Sequence, residues 1–279
     1  MIYLLLCVAL LAPAQAAPAS APATQQVLPV DVAGYLQDIS VTIHASGSQG
    51  SGVIFTRDGV NYVWTAGHVI DGLRKVREVV DTKTGASKSV VEFEDAVVVK
   101  ELTENGRRVG ELKMDAEVLR YSNANTGQDL ALLRIRKKHF VEASAVFYLD
   151  AEIPKIGSPL LHCGSLLGQL GANSMTTGIL SQIGRVFEGN VYDQTTCAVF
   201  PGSSGGGIFL TDGRYVGMLV RGAGETFNLI VPARRLTAWA DRVGVRFAID
   251  ASVPVPSEDE LKAIPVEDSG SNFEMTKKQ

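Results

Sequence analysis

One short segment contains the residue types that a covalent nucleophile needs. Ser203 and Ser204 lie in the run from Pro201 to Gly207, with glycines on both sides. A nucleophilic serine requires a tight turn that exposes its hydroxyl group, and free backbone N–H groups directed at the developing oxyanion. Glycine permits such a turn and lets a substrate approach the backbone closely. The run therefore predicts a nucleophile loop, although a Gly/Ser loop without chemistry has the same composition.

The order of residues along the chain decides which kind of hydrolase this loop fits. Gly202, Ser204 and Gly206 match the Gly-x-Ser-x-Gly pattern of α/β-hydrolases. Those enzymes place the catalytic histidine after the serine, and none of the four histidines follows Ser204. A general base that is a histidine must therefore come from upstream.

His68 is the best of the four histidines by position. It follows an apolar strand and begins a short helix, and a strand end is a rigid place for a general base. His44 alternates on a strand, His139 closes the basic run 136–138, and His162 lies in an apolar strand where a satisfied core histidine is expected. A capping or buried structural role is the alternative for His68.

Asp129 completes the set as its third member. It lies at the mouth of the apolar strand 130–135, where backbone N–H groups can hold its carboxylate so that it orients an imidazole. A turn residue is the ordinary interpretation of such an aspartate. The order His68, Asp129, Ser204 is nevertheless that of the chymotrypsin-type fold, and the three together are stronger evidence than each alone.

Short strands must position these residues. The 28 glycines interrupt many short runs of apolar residues, and no long helices separate the strands, so a parallel doubly wound sheet is not expected. Two sets of about six strands predict an all-β chain with two antiparallel barrels or sandwiches, over 35–150 and 151–250. Segments 66–74 and 233–241 predict short helices. The second set of predicted strands comprises 159–163, 175–183, 197–200, 207–210, 215–220 and 227–231.

Composition excludes several classes of protein. The 279 residues are 46% hydrophobic and 20% charged, with a formal net charge of −4, which is ordinary for a globular protein. No long stretch is dense in Lys or Arg, so nucleic acid is not expected as the main partner. No apolar run reaches about 18 residues, which excludes a multi-span membrane protein. No His/Cys/Asp cluster has metal-ligand spacing, so we expect no metal.

The amino terminus has the pattern of a targeting segment. An apolar stretch at 2–13 precedes the small-x-small sequence Ala14-Gln15-Ala16. This pattern predicts a secretory signal peptide over 1–17, followed by a flexible leader over 18–34. We therefore expect an exported protein, periplasmic or secreted, with no stable membrane span after signal removal. A retained amino-terminal anchor is the alternative.

The remaining cysteines fit an exported protein, and the end of the chain changes character. Cys163 and Cys197 remain after signal removal, and they either form a disulfide or are small buried residues. Segment 251–279 contains prolines and acidic residues without periodicity, which predicts an extended or disordered acidic tail.

Four segments together resemble a known family: Gly50–Phe55, Thr65–Val69, Gln128–Leu132 and Pro201–Gly206. They resemble trypsin-like serine peptidases, most closely the bacterial HtrA/Deg type, and the resemblance covers about 35–250 of the chain. HtrA proteins usually carry PDZ domains after the peptidase, and the segment after Asp250 is too short for one.

The resemblance implies two six-stranded antiparallel β-barrels with the active site between them. Ser204 would attack a peptide carbonyl, with His68 as general base and then general acid, and Asp129 would orient His68. The N–H groups of Gly202 and Ser204 would form the oxyanion hole. The implied function is a serine endopeptidase that acts on protein or peptide substrates through an acyl-enzyme, without a cofactor.

The resemblance also places a substrate pocket. Its floor would lie near Ala198 and its wall near Val220 to Gly222, which predicts cleavage after small or medium apolar residues. Arg221 leaves an acidic preference as an alternative. Two other functions remain open: a catalytically silent peptidase fold used as a binding module, and an esterase that uses the same three residues. The oligomeric state is not predicted.

Overall fold

The computed structural model describes residues 31–268 except 81, 82, 84, 86, 105, 224 and 225. The described residues contain fourteen strands and four α-helices. The strands before residue 150 are β1 Ser40–Ala45, β2 Ser48–Arg57, β3 Val60–Thr65, β4 Arg74–Val80, β5 Ser87–Phe93, β6 Ala96–Glu104, β7 Arg107–Ser122 and β8 Leu130–Ile135. Those after it are β9 Pro159–Gly164, β10 Ser174–Phe187, β11 Asn190–Thr195, β12 Gly207–Leu210, β13 Tyr215–Gly222 and β14 Asn228–Pro232.

Each set of strands closes into a six-stranded antiparallel barrel, as the sequence predicts. In the first barrel the order is β1-β2-β3-β8-β7-β6, and pairing of β6 with β1 closes it. In the second the order is β10-β11-β14-β13-β12-β9, and pairing of β9 with β10 closes it. Val- and Ile-rich strands suit these barrels because branched side chains pack well on a pleated surface whose inner face is buried.

Aromatic side chains join the two barrels. Phe147, in the connection between them, lies 4.6 Å from Tyr215 of the second barrel and 5.8 Å from Phe55 of the first, measured between ring centroids. All three residues are buried. Packed aromatic rings at these separations stabilise a fixed contact between the two barrels. The barrels therefore hold a defined orientation, which a site between them requires.

Four helices lie outside the barrels. They are α1 Val32–Ile39, α2 Gly67–Ile70, α3 Ala233–Arg242 and α4 Glu258–Ala263. The predictions of short helices at 66–74 and 233–241 are confirmed by α2 and α3. Helix α3 packs onto the first barrel, where the Trp239 ring lies 5.9 Å from that of Trp64.

Two parts of the strand prediction differ from the structure. Strands β4 and β5 form a separate two-stranded sheet, largely exposed, that the sequence analysis does not predict. The predicted strand 197–200 is irregular, and the strand of that region is β11 at Asn190–Thr195. The apolar pattern misses β11 because this strand buries two polar side chains, Asp193 and Gln194. Arg234 donates a hydrogen bond to Asp193, and Arg185 donates one to Gln194.

Residues 251–268, the described part of the expected tail 251–279, include helix α4 and contact the first barrel, whereas an extended or disordered segment is expected there. Helix α4 begins with a capping box between Ser257 and Glu260, which satisfies backbone N–H groups at the helix start. Leu261 of this helix is buried, and its carbonyl oxygen accepts a hydrogen bond from Arg120 Nη2 at 3.1 Å. The backbone N–H of Asp268 donates to the carbonyl oxygen of Tyr121.

Several expectations fall on residues outside the described part. The signal peptide over 1–17 and most of the leader over 18–34 lie there, as do the last eleven residues, 269–279. Within the described ranges, no helix is long and apolar enough to cross a membrane, and no cluster of three His, Cys, Asp or Glu side chains could hold a metal ion. Cys163 and Cys197 are buried free thiols.

Candidate active site

His68 and Asp129 form a close pair at one end of the first barrel. His68 lies in α2, directly after β3, and Asp129 directly precedes β8, which pairs with β3. The His68 Nδ1 atom lies 3.0 Å from both carboxylate oxygens of Asp129. The backbone N–H of His68 also donates to Asp129 Oδ1 at 2.9 Å. The carboxylate therefore fixes the imidazole and requires a proton on Nδ1, which leaves Nε2 free to accept one.

Burial differs sharply between the two members of this pair. The Asp129 side chain is 2% exposed, whereas that of His68 is 37% exposed. Asp129 also adopts a left-handed backbone conformation, with φ of 55°. Such a conformation is uncommon for a residue other than glycine and persists when its surroundings enforce it. The surroundings include Gly67, where a Cβ would collide with the Ser122 carbonyl oxygen.

The loop that carries Ser204 packs against the strand end that leads to His68. The Ser204 carbonyl oxygen accepts a hydrogen bond from the backbone N–H of Ser51 at 2.7 Å. Gly205, with φ of 86°, lies so close to Ser51 and Thr65 that a Cβ there would collide with both. Thr65 stands three residues before His68. The nucleophile loop of the second barrel and the histidine of the first are thus brought to the same cleft.

The backbone N–H groups of Gly202 and Ser204 are available in this loop. Neither donates a hydrogen bond to any part of the chain that the structure describes, whereas those of Ser203 and Gly205 donate to carbonyl oxygens of Phe200 and Leu219. Gly202 has φ of 98°. The conformation thus leaves two N–H groups without partners on either side of one residue, which suits them to bind an anionic oxygen.

Ser204 Oγ has no hydrogen-bond partner among the described residues, so no hydrogen bond joins it to His68 in this structure. Ser203 behaves differently, because its side chain is buried and its Oγ accepts from the backbone N–H of Phe200 at 3.2 Å. Of the two serines in the loop, Ser204 therefore has the free hydroxyl group and Ser203 supports the turn.

Ser51 is a supporting residue to which the sequence analysis gives no role. Its Oγ donates to the Gly202 carbonyl oxygen at 2.7 Å and accepts from the backbone N–H of Ser165 at 2.7 Å. The backbone N–H of Leu167 donates to the Pro201 carbonyl oxygen at 2.8 Å. These bonds hold the carbonyl groups of the loop away from its free N–H groups. The only sequence feature that could have indicated this supporting role is the position of Ser51 between two glycines.

A cavity of about 430 Å³ lies beside Ser204. Ala198 and Gly222 line it, in agreement with where the sequence places them, but Val220 does not and is buried in the core instead. Alternate residues of a strand face opposite sides, so the neighbours of Val220 line the cavity in its place. The lining residues are Ala198, Val199, Phe200, Pro201, Ser204, Leu219, Arg221 and Gly222.

Arg221 brings the only charged side chain among these lining residues. Its Nη2 atom lies 3.0 Å from Glu188 Oε2 and its guanidinium carbon lies 5.3 Å from the centre of the Phe187 ring. An ion pair and a cation–π contact therefore already engage the positive charge.

The other three histidines lie outside this cleft or serve the core. His44 Nε2 lies 3.3 Å from Gln169 Oε1, and His139 is exposed beside Glu142. His162 is fully buried and its Nδ1–H donates to the Gly207 carbonyl oxygen at 3.0 Å. Burial lowers the pKa of His162 to about 4, so it is neutral at physiological pH.

Solved structures share this architecture. A serine endoprotease from Yersinia pestis has a TM-score of 0.54 at 22% identity, over 79% of this chain and 68% of that one. An HtrA-type protease, AlgW, bound to a tripeptide has a TM-score of 0.54 at 20% identity, over 77% of this chain and 63% of that one. At these identities the likeness concerns the fold.

Curated relatives cover much of the chain but are longer. A probable periplasmic DegP-like serine endoprotease from Halomonas elongata is 29% identical over 218 residues, 77% of this chain and 35% of the relative. A Do-like HtrA serine protease from Lactococcus lactis subsp. lactis is 30% identical over 181 residues, 61% of this chain and 36% of the relative. The chain thus spans about a third of the length of these relatives.

A family model described as a trypsin-like peptidase domain matches residues 50–218. This range contains His68, Asp129 and Ser204. Because it covers more than half of the sequence and agrees with the two closed barrels, the chain belongs to the trypsin-like peptidase family, with HtrA/DegP-type proteases among its relatives.

Proposed function

We propose that this chain is a serine endopeptidase in which Ser204, His68 and Asp129 are the catalytic residues. His68 Nε2 removes the proton from Ser204 Oγ as the oxygen attacks the carbonyl carbon of a peptide bond. The imidazolium that forms carries its second proton on Nδ1, facing the Asp129 carboxylate. His68 then gives the Nε2 proton to the leaving amine, and an acyl-enzyme remains on Ser204. Water, deprotonated by His68, then attacks the acyl carbon; the bond to Ser204 Oγ breaks, His68 returns the proton to that oxygen, and the acid product leaves.

The N–H groups of Gly202 and Ser204 stabilise the oxyanion in both halves of this reaction. Neither group donates to a described residue, so neither has to give up a hydrogen bond when charge develops on the carbonyl oxygen. Loss of one donor of this kind typically costs about 3–4 kcal/mol of transition-state stabilisation. Catalytic hydrogen bonds are commonly long without substrate and tighten on binding, which suits the unbonded Ser204 Oγ.

The observation that carries this proposal is the combination of a fixed imidazole and an unbonded serine hydroxyl across one cleft. The buried carboxylate holds His68, and the loop bearing Ser204 is packed against the strand end that precedes it. A binding module needs neither a buried carboxylate behind a histidine nor two free N–H groups beside a serine.

Labelling with a fluorophosphonate probe tests the nucleophile directly. The unmodified protein should form a covalent adduct, and Ser204→Ala should not, because the probe reacts only with an activated serine. Ser203→Ala should still become labelled, since its hydroxyl group serves the turn. Loss of labelling in Ser203→Ala together with retention in Ser204→Ala would refute the assignment. An unlabelled wild-type protein would favour the silent binding module.

Hydrolysis assays with two substrates separate a peptidase from an esterase. A peptidase should hydrolyse casein as well as a simple ester, because the same acyl-enzyme forms from either. Turnover of the ester alone would indicate an esterase. Protein or peptide substrates are also what the names of the DegP-like and HtrA relatives suggest. The description of the DegP-like relative as periplasmic supports export, as the predicted signal peptide over 1–17 does.

Cleavage after small or medium apolar residues such as Val, Ala or Leu is the expected specificity. No acidic residue lines the cavity beside Ser204, so Lys and Arg side chains would find no partner there. The charge of Arg221 is engaged by Glu188, which disfavours a preference for acidic residues. An apolar pocket discriminates by about 1–3 kcal/mol per methylene, so the preference should be graded. Profiling with a peptide library measures it, and dominant cleavage after Lys/Arg or Glu/Asp would contradict it.

A further inference from the structure

An arginine of α3, the helix that follows the second barrel, contacts the loop that carries Asp129. Arg235, in α3, donates from Nη2 to the Gln128 carbonyl oxygen at 2.7 Å and from Nε to Gln128 Oε1 at 2.9 Å. Its Nη1 donates to the Val191 carbonyl oxygen at 3.1 Å, and its guanidinium carbon lies 4.6 Å from the centre of the Tyr192 ring. The planar guanidinium thus joins one strand of the second barrel, β11, to Gln128, which lies just before β8 of the first barrel.

The environment of Arg235 is unusual for a surface cation. No carboxylate in the described ranges lies within ion-pair distance of it, and burial lowers its pKa. The nearby charge of Asp129 acts in the opposite direction and favours the protonated form. A partly buried cation whose hydrogen bonds go to carbonyl and amide oxygens fixes backbone geometry more than it neutralises charge.

The bond to the Gln128 carbonyl oxygen acts on the strained residue. That carbonyl belongs to the peptide group that enters Asp129, whose φ of 55° sets the direction of its side chain. Holding the plane of this peptide therefore limits how the carboxylate can turn relative to His68. Asn190 Nδ2 donates to the next carbonyl upstream, that of Gly127, at 3.0 Å.

We propose that Arg235 is a positioning residue that holds the Asp129 carboxylate against His68 across the interface between the barrels. This inference rests on the proposed function of those two residues. No hydrogen bond joins Arg235 to His68 among the described residues, so its effect passes through the peptide between Gln128 and Asp129. The neighbouring Arg234 has no such connection, because its guanidinium pairs with Asp193 of the second barrel at 2.6 Å.

The adjacent arginines offer a matched pair of variants. Arg235→Lys keeps the charge but cannot donate in a fork to both oxygens of Gln128. It should lower kcat by about 10- to 100-fold, the loss that follows from a small misplacement of a catalytic group, and change KM by less than about twofold. Arg234→Lys keeps its ion pair with Asp193 and should retain both constants. Thermal unfolding of the variants shows whether each is folded.

A double-mutant cycle separates positioning from a general structural role. In an Asp129→Asn background the probe-labelling rate should not fall further when Arg235→Lys is added, because the carboxylate that Arg235 positions is already lost. Additive losses, or equal kcat in Arg235→Lys and Arg234→Lys, would overturn the inference. An inactive wild-type protein would instead refute the proposed function.

A spectroscopic measurement does not depend on activity. In the Ser204→Ala protein, the Nδ1 proton of His68 should give a downfield proton resonance because it is hydrogen-bonded to a buried carboxylate. Adding Arg235→Lys should shift or broaden this resonance, and adding Arg234→Lys should not. An identical resonance in both double variants would show that the carboxylate is positioned without Arg235.

Discussion

Replacing Ser204 or His68 with alanine should lower kcat by about 10⁶-fold, the largest effect expected from any single substitution in this chain. The serine provides the bond-forming oxygen and the histidine removes and returns its proton, so neither step survives the loss of one partner. The double variant should be little worse than either single variant, because residues that act as a unit have non-additive effects.

Both variants should still fold. Ser204 Oγ makes no hydrogen bond with the described residues, so Ser204→Ala should alter the free energy of unfolding by about 0.5 kcal/mol or less. His68→Ala removes one hydrogen-bond partner of the buried Asp129 carboxylate and should cost about 1–3 kcal/mol. Chemical denaturation of the variants, beside steady-state turnover of one peptide substrate, measures both quantities. Turnover that survives Ser204→Ala would exclude Ser204 as the nucleophile.

Residues whose chemistry is local were predictable from the sequence. The serine loop needs glycines on both sides, the histidine needs a strand end, and the order of the residues excludes an α/β-hydrolase. The barrels were predictable because short apolar runs alternate with turn residues. Strand β11 was not, since its buried Asp193 and Gln194 have arginine partners that are distant in sequence.

Features that depend on distant contacts could not be predicted in this way. Arg235 lies in an Arg-Arg pair on a polar helix face, which in a sequence is indistinguishable from a solvated surface. The exact lining of the cavity depends on which face each residue of β13 presents, so Val220 was expected to line it and Leu219 was not. The conformation of 251–268 depends on two hydrogen bonds to the first barrel. Arg120 donates to the Leu261 carbonyl oxygen, and the Tyr121 carbonyl oxygen accepts from the backbone N–H of Asp268.

Asp129→Asn should lower kcat by about 10⁴-fold while leaving the fold intact. The backbone N–H of His68 donates to Asp129 Oδ1, so an asparagine would keep its carbonyl oxygen at that position. Its NH₂ group would then replace Oδ2, which lies 3.0 Å from His68 Nδ1. An NH₂ group is a donor, so the neutral imidazole would have to accept at Nδ1 and carry its proton on Nε2. The nitrogen that faces the cleft would then be unable to take the proton of Ser204, which is the reason for the large loss.

Asp129→Asn should leave the free energy of unfolding nearly unchanged, because the contacts that hold residue 129 are retained. Asparagine adopts the left-handed conformation as readily as aspartate, and the bond from the His68 backbone N–H is retained. Asp129→Ala, which loses that bond and leaves the N–H without its acceptor, should be destabilised by about 1–3 kcal/mol relative to Asp129→Asn. Turnover and denaturation of the two variants, with the exposed Asp115→Asn as the control, separate the tautomer effect from loss of structure. If the kcat of Asp129→Asn stayed within about tenfold of the wild-type value, the Asp129 carboxylate would not be the group that keeps the proton of His68 on Nδ1.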